Sequence, residues 1–168
     1  MNYASILKCD IANGPGFRVS LFVCGCARKC PGCFNQSAQN PEFGNKFDEK
    51  AKKKIFDELS KDYCTGLSLL GGDPMSKLSD IRKEIISLCR EVKEKFPDKD
   101  IWMWSGYDFE ELMGDDTAKD VFEYIDVIVD GPFVEEQKDV DLKWKGSSNQ
   151  RVIDVKKTLV SDRIILVD

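Results

Sequence analysis

Short apolar strands alternate with amphipathic helices along most of this chain. Segments rich in β-branched and apolar residues predict strands at 19–23, 67–70, 101–104 and 125–129. Apolar residues at helical spacing predict helices at 49–61 and 78–96, and shorter helical pieces at 109–112 and 117–124. Strands that alternate with helices form parallel sheets with right-handed crossovers. The sequence therefore predicts an α/β fold, completed by edge strands at 150–155 and 163–167.

The length of the chain limits how such a sheet can close. An eight-unit (β/α) barrel takes about 250 residues, whereas this chain has 168. We therefore expect a partial (β/α) barrel or a curved, mostly parallel sheet, formed by a single domain over residues 1–168.

Unusual residues lie where each predicted strand ends. A cysteine-rich loop follows the first strand, and the other three strands end in Gly71-Gly72-Asp73, Ser105-Gly106 and Asp130-Gly131. In parallel α/β folds the ligand site lies at this edge of the sheet, where the carboxyl ends of the strands meet. The sequence therefore predicts that these four segments surround one site.

Three cysteines in the first of these loops, Cys26, Cys30 and Cys33, have the spacing C-x3-C-x2-C. Three thiolates can hold three irons of a cubic [4Fe–4S] cluster and leave the fourth iron open, whereas electron-transfer clusters usually have four cysteine ligands. A metal with an open position can bind a substrate. The spacing therefore predicts iron–sulfur chemistry on a small molecule, with these three cysteines as the metal ligands.

A zinc site is the main alternative for this loop. Cys24 lies two residues before Cys26 and would supply a fourth thiolate, as in zinc sites with four cysteine ligands. The alternation along the preceding strand instead points the Cys24 side chain into the protein interior. The remaining cysteines are isolated in the sequence, so no second cluster is expected at Cys9, Cys64 or Cys89.

Other strand-end residues also have ordinary structural explanations. The turn at 71–74 is typical of a tight connection between a strand and a helix. Its two glycines would equally let a ligand approach the backbone, and Asp73 can accept hydrogen bonds from an ammonium group. Asp130 either caps a turn or contacts a substrate, and Trp104 either packs in the core or lines the site.

Composition removes several classes of function. The chain has no histidine, which excludes zinc sites built from paired cysteines and histidines, Ser-His-Asp triads and Cys-His dyads. A net charge of −5 without a basic block argues against a nucleic-acid partner. No apolar run reaches the roughly 18 residues of a membrane span, and residues 1–5 lack the pattern of a signal peptide. We therefore expect a cytoplasmic protein with no membrane partner, whose cysteines are thiols or metal ligands.

The three cysteines, the following Phe34 and the Gly71-Gly72-Asp73 turn resemble the radical S-adenosylmethionine superfamily. Further segments resemble one subgroup, the activating proteins of anaerobic (class III) ribonucleoside-triphosphate reductases, over about residues 1–152. These segments are 10–16, 30–35, 71–74, 104–107, 129–131 and 144–150. Residues 155–168 lie beyond the family's usual end and form a possible C-terminal extension.

The resemblance implies a radical SAM type of fold and two cofactors, a [4Fe–4S] cluster and S-adenosyl-L-methionine. It implies a glycyl-radical-generating oxidoreductase. The cluster reductively cleaves S-adenosylmethionine, and the 5′-deoxyadenosyl radical abstracts hydrogen from a glycine of anaerobic ribonucleotide reductase. The implied partners are the large subunit of that reductase and an electron donor such as reduced flavodoxin. No catalytic residue is implied beyond the cluster and the cofactor.

The resemblance also implies the cofactor-binding residues, namely Gly32, Cys33, Phe34, Gly71, Gly72, Asp73, Ser105 and Asp130. The first three lie against the cofactor, with Phe34, where family members usually have tyrosine, beside the adenine. The glycine–glycine–aspartate turn holds the methionine ammonium group; the superfamily's commoner glutamate is aspartate here, as is usual in the subgroup. The last two residues contact the ribose or the methionyl group.

Two other functions stay open at this point. An activase of another glycyl-radical enzyme is one, although many of those carry an inserted ferredoxin-like domain with extra cysteine clusters, which this chain lacks. A non-enzymatic iron–sulfur or zinc binding module is the other, and it predicts that Cys24 is a ligand and that S-adenosylmethionine does not bind.

Overall fold

A computed structural model describes residues 1–78 and 80–167 and shows a mixed α/β fold built on a seven-stranded sheet. The strands are β1 (Asn2–Asp10), β2 (Phe17–Val23), β3 (Asn45–Lys46), β4 (Cys64–Gly71), β5 (Asp100–Trp104), β6 (Val127–Asp130) and β7 (Arg151–Asp154). The α-helices are α1 (Glu49–Leu59), α2 (Ile81–Lys95), α3 (Phe109–Met113) and α4 (Val155–Leu159). Ser79, in the predicted helix at 78–96, and Asp168, in the predicted extension, lie outside the described residues.

The strand order across the sheet is β3-β1-β2-β4-β5-β6-β7. The central strands β2, β4, β5 and β6 are parallel to one another. Antiparallel strands lie at both edges, with β1 and β3 on one side and β7 on the other. The predicted α/β class and the predicted parallel centre are therefore confirmed.

The long helices cover one face of this sheet. Helix α1 begins where the sequence predicts, because the Asp48 carboxylate accepts a hydrogen bond from Ala51 N at 2.9 Å and caps the first turn. The core contains the buried sides of α1 and α2 and every second residue of the strands, among them Val19, Leu21, Ile55, Ile85, Leu88 and Met103. Within the described residues, no helix is long and apolar enough to cross a membrane.

The opposite face of the sheet is buried but partly polar. Arg18 and Ser20 alternate with the core residues of β2, and both are fully buried. Ser68 on β4 accepts a hydrogen bond from Arg18 Nε at 2.7 Å and donates one to the carbonyl oxygen of Asn13 at 2.6 Å. The Trp102 ring on β5 packs edge-on against Trp144, with centroids 4.7 Å apart. On this face the strands therefore contact loop residues, Asn13 and Trp144, rather than α1 and α2.

Some predicted elements differ in the structure. Residues 163–167 pair with β7 through a single bridge, Ile153 to Leu166, instead of forming a strand. The segment predicted to be helical at 117–124 contains a 3-10 turn at Lys119–Glu123. Strand β1 was not predicted, because bulges between Tyr3 and Ser5 and between Leu7 and Asp10 interrupt its alternation.

Candidate functional site

A cavity of about 470 Å³ lies at the carboxyl ends of the parallel strands. Its walls include the cysteine loop after β2, the Gly71-Gly72-Asp73 turn after β4 and Ser105-Gly106 after β5. Gly131 after β6 completes the set of strand ends. Parallel neighbours bring these ends to one edge, so the four predicted segments do meet at one site.

The cysteine loop presents Cys26, Cys30 and Cys33 to this cavity, each of them half-buried and free of disulfides. The loop turns sharply because Lys29 and Gly32 adopt left-handed backbone angles, with φ of 49° and 66°. Burial raises the pKa of the Cys26 thiol, while the backbone N–H groups of Arg28 and Lys29 lower it by hydrogen bonding to the sulfur. Such N–H···S bonds are among the contacts that set the potential of iron–sulfur clusters.

Cys24 is kept out of the cavity. Its residue is fully buried, its side chain does not line the cavity, and burial raises the pKa of its thiol. In the described part of the chain, no three His, Cys, Asp or Glu side chains converge closely enough to hold one metal ion. A cubic cluster binds each cysteine to a different iron, whereas zinc needs ligands about 2.3 Å from one point. Three free cysteines at one cavity, with Cys24 buried away from it, fit the donor set of a cluster that has one open iron.

The two glycines at the carboxyl end of β4 allow close approach between the strand end and the cysteine loop. A Cβ atom on Gly72 would lie 2.6 Å from the carbonyl oxygen of Ala38 and 2.8 Å from that of Gly25. Gly71 has a φ of 111° and leaves no space for a side chain, because its Cβ would lie 2.5 Å from the Val23 carbonyl oxygen. Asp73 N in turn donates to the Gly25 carbonyl oxygen at 3.0 Å. Glycine at both positions therefore lets the turn pack directly on the loop.

The Asp73 carboxylate is almost fully buried at the cavity wall. It accepts hydrogen bonds from Met75 N at 2.8 Å, from Ser105 Oγ at 3.0 Å and from Gly106 N at 3.0 Å. Burial raises the pKa of Asp73, and these donors, together with the positive charge of Arg28, oppose the rise. Asp73 therefore ties the turn after β4 to the turn after β5.

Ser105 and Asp130 differ in their placement. Ser105 lines the cavity, and besides donating to Asp73 its hydroxyl accepts a hydrogen bond from Tyr107 N at 3.2 Å. Asp130 is buried, but it does not line the cavity. Its carboxylate accepts hydrogen bonds from Phe109 N at 2.7 Å and from Arg151 Nε at 3.0 Å. Asp130 therefore joins the start of α3 to β7.

Phe34 lies at the mouth of the cavity, next to Cys33. The residue is 98% exposed, although it contributes to the cavity lining. A second aromatic residue, Trp104 at the end of β5, lines the cavity, so it belongs to the site and not only to the core.

Sequence reasoning from the residues missed the far wall of the cavity. This wall comes from the segment between β6 and β7 and contains Phe133, Lys138, Asp139, Val140, Lys145, Gly146 and Gln150. Gln150 holds the segment folded: its Oε1 accepts from Gly146 N at 2.8 Å, and its Nε2 donates to the Gly131 carbonyl oxygen at 3.0 Å. The run at 144–150, noted only for its resemblance to the subgroup, was the available signal.

Comparison with known proteins agrees with this geometry. Residues 12–153 match the family model of a 4Fe-4S single cluster domain. The chain is similar to anaerobic ribonucleoside-triphosphate reductase-activating proteins from three sources. Identity is 45% over 154 residues for Enterobacteria phage T4, covering 90% of this chain and 93% of the relative. It is 43% over 152 residues for Vibrio cholerae serotype O1 (89% and 96%) and 40% over 154 residues for Escherichia coli strain K12 (90% and 97%). The chain therefore belongs to the family of anaerobic ribonucleoside-triphosphate reductase-activating proteins.

Proposed function

We propose that this chain is a radical S-adenosylmethionine oxidoreductase that activates an anaerobic ribonucleotide reductase by generating a glycyl radical on it. One observation carries the proposal: three free cysteines line a cavity at the strand ends, and the neighbouring Cys24 is buried away from it. The family supports the choice of target, since its members are named for activating that reductase.

In this proposal Cys26, Cys30 and Cys33 hold a [4Fe–4S] cluster, and S-adenosyl-L-methionine binds beside them. Together these groups supply the reductive cleavage that yields a 5′-deoxyadenosyl radical, which takes hydrogen from the target glycine. The task of the protein is to bind, to orient and to exclude competing hydrogen donors. No general base is needed, in keeping with a chain that has no histidine.

The turn after β4 would receive the methionine ammonium group. Gly71 and Gly72 both line the cavity, and the lack of side chains lets this turn pack closely on the neighbouring backbone, which brings Asp73 to the cavity wall. A carboxylate has about four acceptor positions, and Asp73 uses three of them for Met75, Ser105 and Gly106. One acceptor position therefore remains for an ammonium N–H group.

The remaining cofactor residues would act from the other walls. Gly32, Cys33 and Phe34 lie against the cofactor in this proposal, with the exposed Phe34 ring beside the adenine. In this proposal Ser105, which lines the cavity, contacts the ribose or the methionyl group. We assign Asp130 an indirect part, because its carboxylate holds Arg151 and the start of α3 and does not line the cavity.

We further propose that residues 1–168 form one domain with a partial barrel of the radical SAM type, in which residues 155–168 are an extension beyond the family match at 12–153. The large subunit of the reductase and a donor such as reduced flavodoxin are the proposed partners. We place the protein in the cytoplasm, where reducing conditions keep its cluster cysteines as thiols.

The proposal is tested by anaerobic reconstitution with iron and sulfide. The reduced protein should convert S-adenosylmethionine to 5′-deoxyadenosine, and with the reductase it should give a glycyl radical detectable by electron spin resonance. Cys24→Ala is the matched control and should keep the cluster, whereas Cys30→Ala should lose it. A protein that holds a full cluster but forms no 5′-deoxyadenosine would refute the proposal.

A further inference from the structure

Arg28 connects the cysteine loop to two neighbouring elements. It lies between Cys26 and Cys30 and lines the cavity that the three cysteines share. Its guanidinium carbon is 4.3 Å from the centroid of the Tyr107 ring, and its Nη2 donates to Glu111 Oε2 at 2.8 Å. Tyr107 follows β5 and Glu111 belongs to α3, so one side chain joins the loop to both.

The groups that receive Arg28 are held by other contacts. The guanidinium of Arg82, a buried residue, is 5.2 Å from the centroid of the same Tyr107 ring. Glu111 Oε2 also accepts a hydrogen bond from Asp108 N at 2.9 Å, as part of the capping box of α3. Arg28 therefore docks on a surface that these contacts already fix.

The charge of Arg28 faces a group of negative ligands. The three cysteines, which bind a cluster as thiolates, and the Asp73 carboxylate line the same cavity, and the guanidinium lowers the pKa of Asp73 against the larger effect of burial. Arginine stays charged at all relevant pH values, and the Arg28 side chain is only 27% exposed. Its field inside the cavity is therefore screened less than that of a surface cation.

Other cations near the site differ from Arg28 in position. Lys138 and Lys145 line the opposite wall, in the segment between β6 and β7. Lys29 belongs to the cysteine loop, but it is exposed and does not line the cavity. Arg28 thus belongs to the cysteine loop and also lines the cavity. Its neighbour Lys29 belongs to the loop only and is a matched control.

We propose that Arg28 is a positioning residue that holds the cysteine loop on β5 and α3 and makes the bound cluster easier to reduce. This inference rests on the proposed function, since it takes a [4Fe–4S] cluster to be held by the three cysteines. On reduction, one electron enters from an external one-electron donor and the net charge of the cluster falls by one. A nearby fixed cation stabilises the more negative form, and local charge is a known determinant of cluster potential.

The test is a redox titration of reconstituted full-length variants, followed by electron spin resonance at matched iron and sulfide content. In Arg28→Gln the equilibrium constant for reduction should fall about tenfold, which corresponds to about 59 mV for one electron. Arg28→Lys keeps the charge and Lys29→Gln removes an exposed one, so both should stay within about threefold of the wild type.

Glu111→Gln tests the sign of the effect. Glutamine keeps an acceptor for Arg28 and for Asp108 N but removes the counter-charge, so the cluster should become easier to reduce. This variant decides the matter if Arg28→Gln does not hold a cluster, and an unchanged or more negative potential in it would then refute the inference. The melting temperature of the metal-free Arg28→Gln protein, expected to fall, reports the anchoring part separately.

Two further outcomes would overturn the inference. One is a wild-type potential in Arg28→Gln at full cluster content, and the other is an equal shift in Arg28→Gln and Lys29→Gln. Failure of the wild-type protein to bind any cluster would instead refute the proposed function, so the two failures are distinguishable.

Discussion

Replacing Asp73 by asparagine tests whether one buried carboxylate holds two strand ends together. The carboxylate accepts from Met75 N and Ser105 Oγ through Oδ1 and from Gly106 N through Oδ2. Asparagine has the same shape but only one acceptor oxygen. With that oxygen toward Met75 and Ser105, the amide NH2 group faces the N–H of Gly106, and two donors meet.

The size of the effect follows from these contacts. A hydrogen bond to a charged group contributes about 1.5–3 kcal/mol, and a buried donor left without an acceptor costs about 1–3 kcal/mol. Asparagine also removes the cost of burying the charge, the main reason that the pKa of Asp73 is raised. With this relief offsetting part of the loss, Asp73→Asn should lower the free energy of unfolding by about 2 kcal/mol.

The assay is urea unfolding of the metal-free protein under reducing conditions, followed by tryptophan fluorescence. Ser105→Ala is the comparison variant, because it leaves the carboxylate its two backbone donors but removes the Ser105 bond to Asp73 and the acceptor of Tyr107 N. It should lower the free energy of unfolding by about 1.5–3 kcal/mol. If Asp73→Asn is as stable as the wild type, our reasoning about the three hydrogen bonds to the Asp73 carboxylate is wrong.

Further substitutions test the turns and an ion pair. Gly72→Ala pushes a Cβ against two backbone carbonyl oxygens. It should lower the free energy of unfolding by about 1–3 kcal/mol and reduce the iron content of the reconstituted protein. Normal iron binding would contradict the packing described. Gly32→Ala should lower the free energy of unfolding by about 1–2 kcal/mol, because the φ of Gly32 is 66°. Adding Glu135→Ala should not restore the lost stability, since the new Cβ would meet only the flexible end of the Glu135 side chain. Hydrogen bonds from Thr117 and Arg82 hold the pKa of Asp115 below its usual range. The stability that this carboxylate adds is therefore present above its unfolded pKa of about 3.9 and is lost as the pH falls through the folded value. Asp115→Asn should lower the free energy of unfolding at pH 7 in urea titrations, and the difference from the wild type should start to narrow below about pH 4. A difference that stays constant as the pH falls below that value would contradict this.

The parallel centre of the sheet was predictable because its strands are apolar runs between amphipathic helices. Strand β1 was not, because its bulges break the alternation that identifies a strand. Residues 163–167 have the composition of a strand, but the chain meets β7 over a short stretch only. The local sequence pattern thus identified the strands that are regular and fully paired, and it failed for a bulged strand and for a segment that pairs over a short stretch.

The location of the candidate site was predictable, because the carboxyl ends of parallel strands meet at one edge of the sheet. The cavity edge follows from parallel topology, and the cysteine spacing needs no long-range information. The orientation of Asp130 depends on Arg151, which is distant in sequence, and no local signal predicts it. The docking of Arg28 on Tyr107 and Glu111 is likewise a contact between distant segments.

Arg18 has a consequence for the other end of the sheet. It is fully buried near the amino end of β2, where it bonds to Ser68 and pairs with Asp100 at 2.7 Å. A slip of β2 by one residue would turn this cation into the apolar core, and an uncompensated buried charge costs about 3–5 kcal/mol. Arg18 therefore fixes the alignment of β2 on β4, which runs from Arg18 opposite Gly66 to Val23 opposite Gly71. A residue far from the cavity thus determines the register of β2 on β4, and with it the relative positions of the cysteine loop after β2 and the Gly71-Gly72-Asp73 turn.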